Sequence, residues 1–137
     1  MKAIAYINGS HVRKFNKCAF AGQIIMEEDV FDVSGSTDKE EICCMQIIGA
    51  CLKAAEITIK KAMDLGIKQL EIITNLNAVE DFTFGYCKPK QKGTIDYVNF
   101  IDSTEGIIEL DMRRPNCKFD EKKLTEVLIN ARKALNN

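Results

Sequence analysis

Apolar and polar residues alternate over positions 2–7 (KAIAYI), the two-residue period of a half-buried strand. Asn8-Gly9-Ser10 then supplies turn chemistry and predicts a hairpin. CAFAGQIIM (18–26) and DVFDVSG (29–35) read as second and third strands, joined through the acidic turn EED, and STDKEE (36–41) as a polar loop. From 42 to 65 the period changes. Ile47, Ile48, Cys51, Leu52, Ala55, Ile59, Ala62 and Met63 recur at threes and fours, predicting a helix with one buried face that Gly66 terminates. KQLEIIT (68–74) predicts a central strand and 75–84 a short helix. The polar loop GYCKPKQKG (85–93) leads to a helix over 94–103 with Tyr97, Phe100 and Ile101 on one face. GIIELDM (106–112) is the last predicted strand, RRPNC breaks it, and 120–135 forms an amphipathic terminal helix.

The resulting order, βββαβααβα, predicts an α/β fold, because a helix between strands implies a crossover connection. With 137 residues, 46% of them hydrophobic, the chain suits a single domain over 1–137 with a sizeable core. A net charge of -1 argues against binding nucleic acid through overall positive charge and leaves room only for a local basic patch. The start lacks the apolar core of a signal peptide, and no apolar run approaches the roughly 20 residues that span a bilayer. We therefore expect a cytoplasmic protein with no membrane partner. Its six cysteines are expected as free thiols, and without a CxxC pair or any histidine besides His11 a zinc site is not expected.

AYINGS (5–10), with this element order, is similar to ribonuclease H type 1, especially its compact bacterial and viral forms. In that family the first strand ends in a catalytic aspartate within a pattern like YxDGS; here the matching residues are Tyr6, Asn8, Gly9 and Ser10. The layout of 50–75 follows the family's glutamate-bearing helix and next strand, with Ala54, Ala62 and Gly66 at family spacings. The glutamate position falls on Cys51 and the second aspartate on Asn75. Gly85, Lys88, Gly93, Thr94, Tyr97 and Phe100 match the family's following helix and basic loop. A fourth carboxylate of the terminal helix falls on Leu128, with Glu121 or Glu126 nearest in another register, and 113–120 contain no histidine where the family carries one.

The resemblance implies an RNase H-like fold: a five-stranded mixed sheet flanked by helices on both faces. It implies chemistry by a pair of Mg²⁺ ions, which activate water and stabilise the leaving oxygen of an RNA phosphodiester. Mg²⁺ is a hard cation held by carboxylate oxygens, and Asn8, Cys51 and Asn75 remove three of them, so no metal cofactor is expected. Taken singly, Asn8 is a turn residue, Cys51 helix core and Asn75 an N-cap. Their coincidence at three spacings of one pattern marks a lost metal site. Binding could survive: Lys88, Lys90, Lys92 and Thr94 stand where the family meets the phosphate backbone, and Gly9 and Ser10 offer donors beside the old site. Phe84 and Tyr86 could stack or pack nearby, while Arg113 and Arg114 read as a solvated strand end. The leading expectation is a catalytically degenerate RNase H-like domain that binds an RNA/DNA hybrid or double-stranded RNA without cutting it. One alternative is a protein-interaction or homodimerisation scaffold. The other is an active hybrid nuclease using the displaced carboxylates Glu56, Glu80 or Asp81.

Overall fold

A computed structural model describes residues 2–136. Its strands are β1 (Lys2–Val12), β2 (Lys17–Met26), β3 (Asp29–Thr37), β4 (Gln69–Ile73) and β5 (Glu109–Arg113). The helices are α1 (Glu40–Cys43), α2 (Ile47–Asp64), α3 (Asn77–Thr83), α4 (Lys92–Ser103) and α5 (Lys118–Ala134). The sheet runs β3-β2-β1-β4-β5, antiparallel across the first three strands and parallel from β1 through β4 to β5. This is the five-stranded mixed sheet that the resemblance implies.

The pleat of β1 sorts the core. Ala3, Ala5 and Ile7 face the larger cluster, which contains Leu52, Ala55 and Ile59 of α2, whereas Tyr6 joins Leu124, Val127 and Ala131 of α5 on the other face. The apolar stripe of α5 is thus buried against the opposite side of the sheet from α2. Gly66, at φ +77°, takes the left-handed position that ends α2.

Two sequence expectations fail here. Asn8-Gly9-Ser10 is not a turn: β1 continues through it, pairing Asn8 with Ala21, Gly9 with Phe20 and Ser10 with Ala19. The hairpin closes instead through a single helical turn, Arg13–Phe15, with Asn16 left-handed at φ 45°. The reason is packing. A Cβ on Gly9 would lie 2.7 Å from the Ala50 Cβ and 2.9 Å from the Ala50 carbonyl carbon, so glycine at 9 serves the approach of α2. The helix expected over 42–65 is also split. Between α1 and α2 the chain makes a tight turn in which Ile48 N–H donates to the Met45 carbonyl at 3.2 Å, with Gln46 at φ 55° and ψ -126°. Helical periodicity does not register this break, because Ile42 and the α2 stripe both still face the core region.

The N-terminus of α5 is held by a buried charge. Asp120, 2% exposed, accepts from the Tyr6 hydroxyl at 2.7 Å, from Arg113 Nη1 at 2.8 Å and from the Asn116 amide at 3.1 Å, while Arg113 Nε also reaches Glu71 at 3.3 Å. Arg114 donates to the Thr74 carbonyl at 2.8 Å. The pair expected as a solvated strand end therefore ties β5 to α5 and to the end of β4. The Arg113 guanidinium, foremost, holds the Asp120 carboxyl well below the ordinary carboxylate range, outweighing burial.

A depressed carboxyl pKa stabilises the fold at pH values above the unfolded value of 3.8, and that contribution is lost as pH falls below it. Asp120→Asn should accordingly cost about 2–4 kcal/mol in urea denaturation at neutral pH. The gap in stability between wild type and variant should narrow progressively as the pH is lowered below 3.8. Relief of the strained backbone at position 46 should work in the other direction, with Gln46→Gly raising stability by about 1 kcal/mol in the same assay.

Candidate functional site

The ends of β1 and β4, the α1–α2 turn and the middle of α5 surround an open cavity of about 590 Å³. Its lining includes Asn8, Gly9 and Ser10 of β1, Asn75 just beyond β4, and Leu128 of α5. Asn8, Asn75 and Leu128, three positions where the resemblance implies carboxylates, therefore border one space. Cys51, the other such position, is 3% exposed and does not line it. It lies beneath Gly9, where burial pushes its thiol up to about 12 against the opposing pull of the Gly9 amide. At neutral pH Cys51 is a protonated thiol of the core, neither nucleophile nor charged ligand.

Asn8 has a local structural account. Asn8 Nδ2 donates to the Leu124 carbonyl of α5 at 3.0 Å, and its Oδ1 accepts from the Gly9 amide at 3.0 Å. The side chain thus uses both halves of its amide to fasten β1 to α5. Asn75 is exposed and does not cap α3, whose N-cap is Leu76. It follows Thr74, whose carbonyl Arg114 holds and whose hydroxyl accepts from the Leu76 amide at 3.2 Å. Gly9, expected as a backbone donor, has its N–H turned to Asn8, so it contributes shape. The Ser10 hydroxyl makes no hydrogen bond among the described residues.

The rest of the lining was not anticipated: His11, Arg13, Gln46, Ile47 and Arg132. Arg132 lies one helical turn beyond Leu128, so the i, i+4 rule could have placed it beside any site containing Leu128. Gln46 comes from the α1–α2 turn, which periodicity does not reveal. His11 Nε2 meets Asn16 Oδ1 at 3.0 Å, and Asn16 Nδ2 donates to Glu40 at 2.9 Å.

The displaced carboxylates are elsewhere. Glu56 is paired with Lys53 at 2.9 Å and Lys60 at 3.2 Å and lines a different cavity with Asp96 and Tyr97. Glu80 and Asp81, on α3, do not line the cavity at Asn8. Among the described residues no three His, Cys, Asp or Glu side chains gather as a metal-binding group.

Lys88 and Lys90 are exposed and make no ion pair among the described residues. Lys92 is the first residue of α4 and its ammonium meets Asp96 at 2.8 Å. Thr94, expected as a phosphate contact, is 3% exposed. Its hydroxyl accepts from the Gln91 amide at 3.2 Å and donates to the Gln91 carbonyl at 2.9 Å, which caps α4. The preceding Gly93 is explained by the backbone of Glu41 and the side chain of Met45, which occupy the space a Cβ would need. Phe84 and Tyr86 stand beside this loop with ring centroids 6.1 Å apart, Tyr86 being 74% exposed.

Sheet order, helix placement and the cavity at the strand ends define the ribonuclease H-like fold. Solved structures with that fold superpose along nearly the whole chain. The RNase H1 of the halophilic archaeon Halobacterium salinarum NRC-1 matches with a TM-score of 0.77 at 12% identity, over 99% of this chain and 98% of its own. An N-terminal RNase H domain from Mycobacterium tuberculosis gives 0.78 at 10% identity, over 97% and 94%. LC11-RNase H1, isolated from compost by a metagenomic approach and solved in complex with RNA/DNA hybrid, gives 0.64 at 16% identity, over 97% and 99%. No protein-family profile matches the sequence, and no curated protein matches it. At these identities the likeness is one of fold.

Placing an acid at position 8 should be costly. Asn8→Asp removes the donor to Leu124 and sets a carboxylate against that carbonyl, so it should lower stability by about 1–3 kcal/mol in chemical denaturation at neutral pH.

Proposed function

We propose that this chain binds nucleic acid, an RNA/DNA hybrid or double-stranded RNA, and does not cleave it. The observation that carries the proposal is the lining of the cavity at Asn8. Two-metal hydrolysis needs hard anionic oxygens to hold a pair of Mg²⁺ ions. The lining offers amides, a hydroxyl, a single imidazole, two aliphatic side chains and two arginines, with no carboxylate. That donor set does not fit the ions, and the guanidiniums would repel them.

Binding draws its support from a separate surface. Lys88 and Lys90 project from the loop between α3 and α4 without anionic partners, next to the exposed Phe84 and Tyr86 pair. Cations that track phosphates beside aromatic rings on which bases stack are a recurring arrangement for nucleic-acid contact. One similar structure, LC11-RNase H1, was solved with an RNA/DNA hybrid, which makes that duplex the first ligand to try.

Purified protein should leave a labelled RNA/DNA hybrid intact in Mg²⁺ or Mn²⁺. It should bind the hybrid in EDTA with an affinity that falls steeply as salt rises, because bound counterions are released. Lys88→Glu with Lys90→Glu should weaken that binding tenfold or more and leave thermal unfolding unchanged. Metal-dependent turnover abolished by Glu80→Gln or Asp81→Asn would overturn the absence of cleavage. If the wild type failed to bind either duplex at low salt, a protein-interaction or homodimerisation scaffold would replace the present reading.

A further inference from the structure

The chain has four arginines. Arg113 and Arg114 are committed to the framework, the first to Asp120 and Glu71, the second to the Thr74 carbonyl. Arg13 and Arg132 both line the cavity at Asn8, and neither guanidinium makes a hydrogen bond or ion pair among the described residues. Arg13 enters from the helical turn after β1, and Arg132 from α5. Unpartnered polar groups face the same space: the Ser10 hydroxyl and the amides of Gln46 and Asn75. No carboxylate does, and Glu40, the acid nearest in the hydrogen-bond network, reaches His11 only through Asn16.

We infer that this cavity is an oxyanion site that takes a phosphate group directly, with Arg13 and Arg132 supplying the charge and Ser10, Gln46 and Asn75 the neutral donors. Guanidinium groups suit this ligand because their planar forks match phosphate oxygens and stay charged at any working pH. A carboxylate-lined site needs metal ions between itself and a phosphate, whereas an arginine-lined one meets the phosphate without them. The charge logic of the position is therefore inverted. The phosphate source follows from the nucleic-acid reading on which this inference rests: a backbone phosphodiester of the bound duplex. A free phosphate would use the same chemistry.

The test separates the two sources and the two readings. Inorganic phosphate titrated into ¹⁵N-labelled protein in EDTA should shift the amide signals of Ser10, Arg13, Gln46 and Asn75, and an RNA/DNA hybrid should shift them too. Arg13→Glu with Arg132→Glu should abolish the phosphate-induced shifts and lower hybrid affinity tenfold or more. It should also reduce the magnitude of the log–log salt slope by about 1–2. A charge-matched control, Lys68→Glu with Lys118→Glu, alters neither of the residues nor the lining and should change hybrid affinity by less than about threefold. Both arginines are exposed and unpartnered, so circular dichroism melting should be unchanged; Arg13→Lys with Arg132→Lys, which keeps the charge, should restore part of the affinity. Hybrid binding by the double glutamate variant equal to that of the control, with no phosphate shifts at the cavity, overturns the oxyanion site and leaves nucleic-acid binding standing. Phosphate shifts without hybrid binding by the wild type uphold the site with free phosphate as its ligand and sink the nucleic-acid reading. If phosphate leaves the cavity unperturbed and the wild type does not bind the hybrid at low salt, both fall.

Discussion

The central strand can lie between helices on both faces only because residue 9 has no side chain. Backbone and Cβ of Ala50 close on Gly9 from one side, while Asn8 holds the Leu124 carbonyl on the other. Two adjacent residues of β1 thereby set the positions of α2 and α5. Their pleat makes this possible, since neighbouring strand residues face opposite sides of a sheet. Any larger residue at 9 would push α2 outward, and with it the α1–α2 turn that brings Gln46 and Ile47 to the cavity.

A second constraint operates at the start of α5. Burying Asp120 is tolerable because three donors from three directions meet it, one each from β1, β5 and the loop before the helix. Breaking such a cluster leaves a charge in a poorly solvated place, which is why it specifies where the helix starts as well as stabilising it. Arg113 and Arg114 are spent in this work. The consequence for function is indirect: the two arginines left over are the ones that reach the cavity.

Asn8 and Cys51 each have a structural role in this fold. A carboxylate cluster must be kept apart from helix carbonyls and needs cations to relieve its own repulsion. With Asn at 8 the side chain can donate as well as accept, so it binds the helix it would otherwise have repelled. With Cys at 51 the helix face can be buried outright under Gly9. Cys51 thus belongs to the core, and the adjoining cavity is lined by two arginines and no carboxylate.

Sequence by itself determined the element order, the hydrophobic faces and the sheet content. Periods of two and of three to four residues are imposed by strand and helix geometry wherever one face is buried. It also grouped Asn8, Cys51, Asn75 and Leu128 by a recognisable layout; Asn8, Asn75 and Leu128 line one cavity, whereas Cys51 is buried beneath it. The end of β1, the break before α2 and the partners of the arginines were not legible in the sequence. Asn-Gly-Ser reads as a turn by local preference, and only the helix pressing on Gly9 makes it strand. The fate of Arg113 depends on Asp120 and Glu71, that of Thr94 on Gln91 across the start of a helix, and that of Arg13 and Arg132 on two elements over a hundred residues apart meeting at one cavity. Burial periodicity is a property of short segments, whereas which charges are consumed and which remain available is settled only when distant segments pack together.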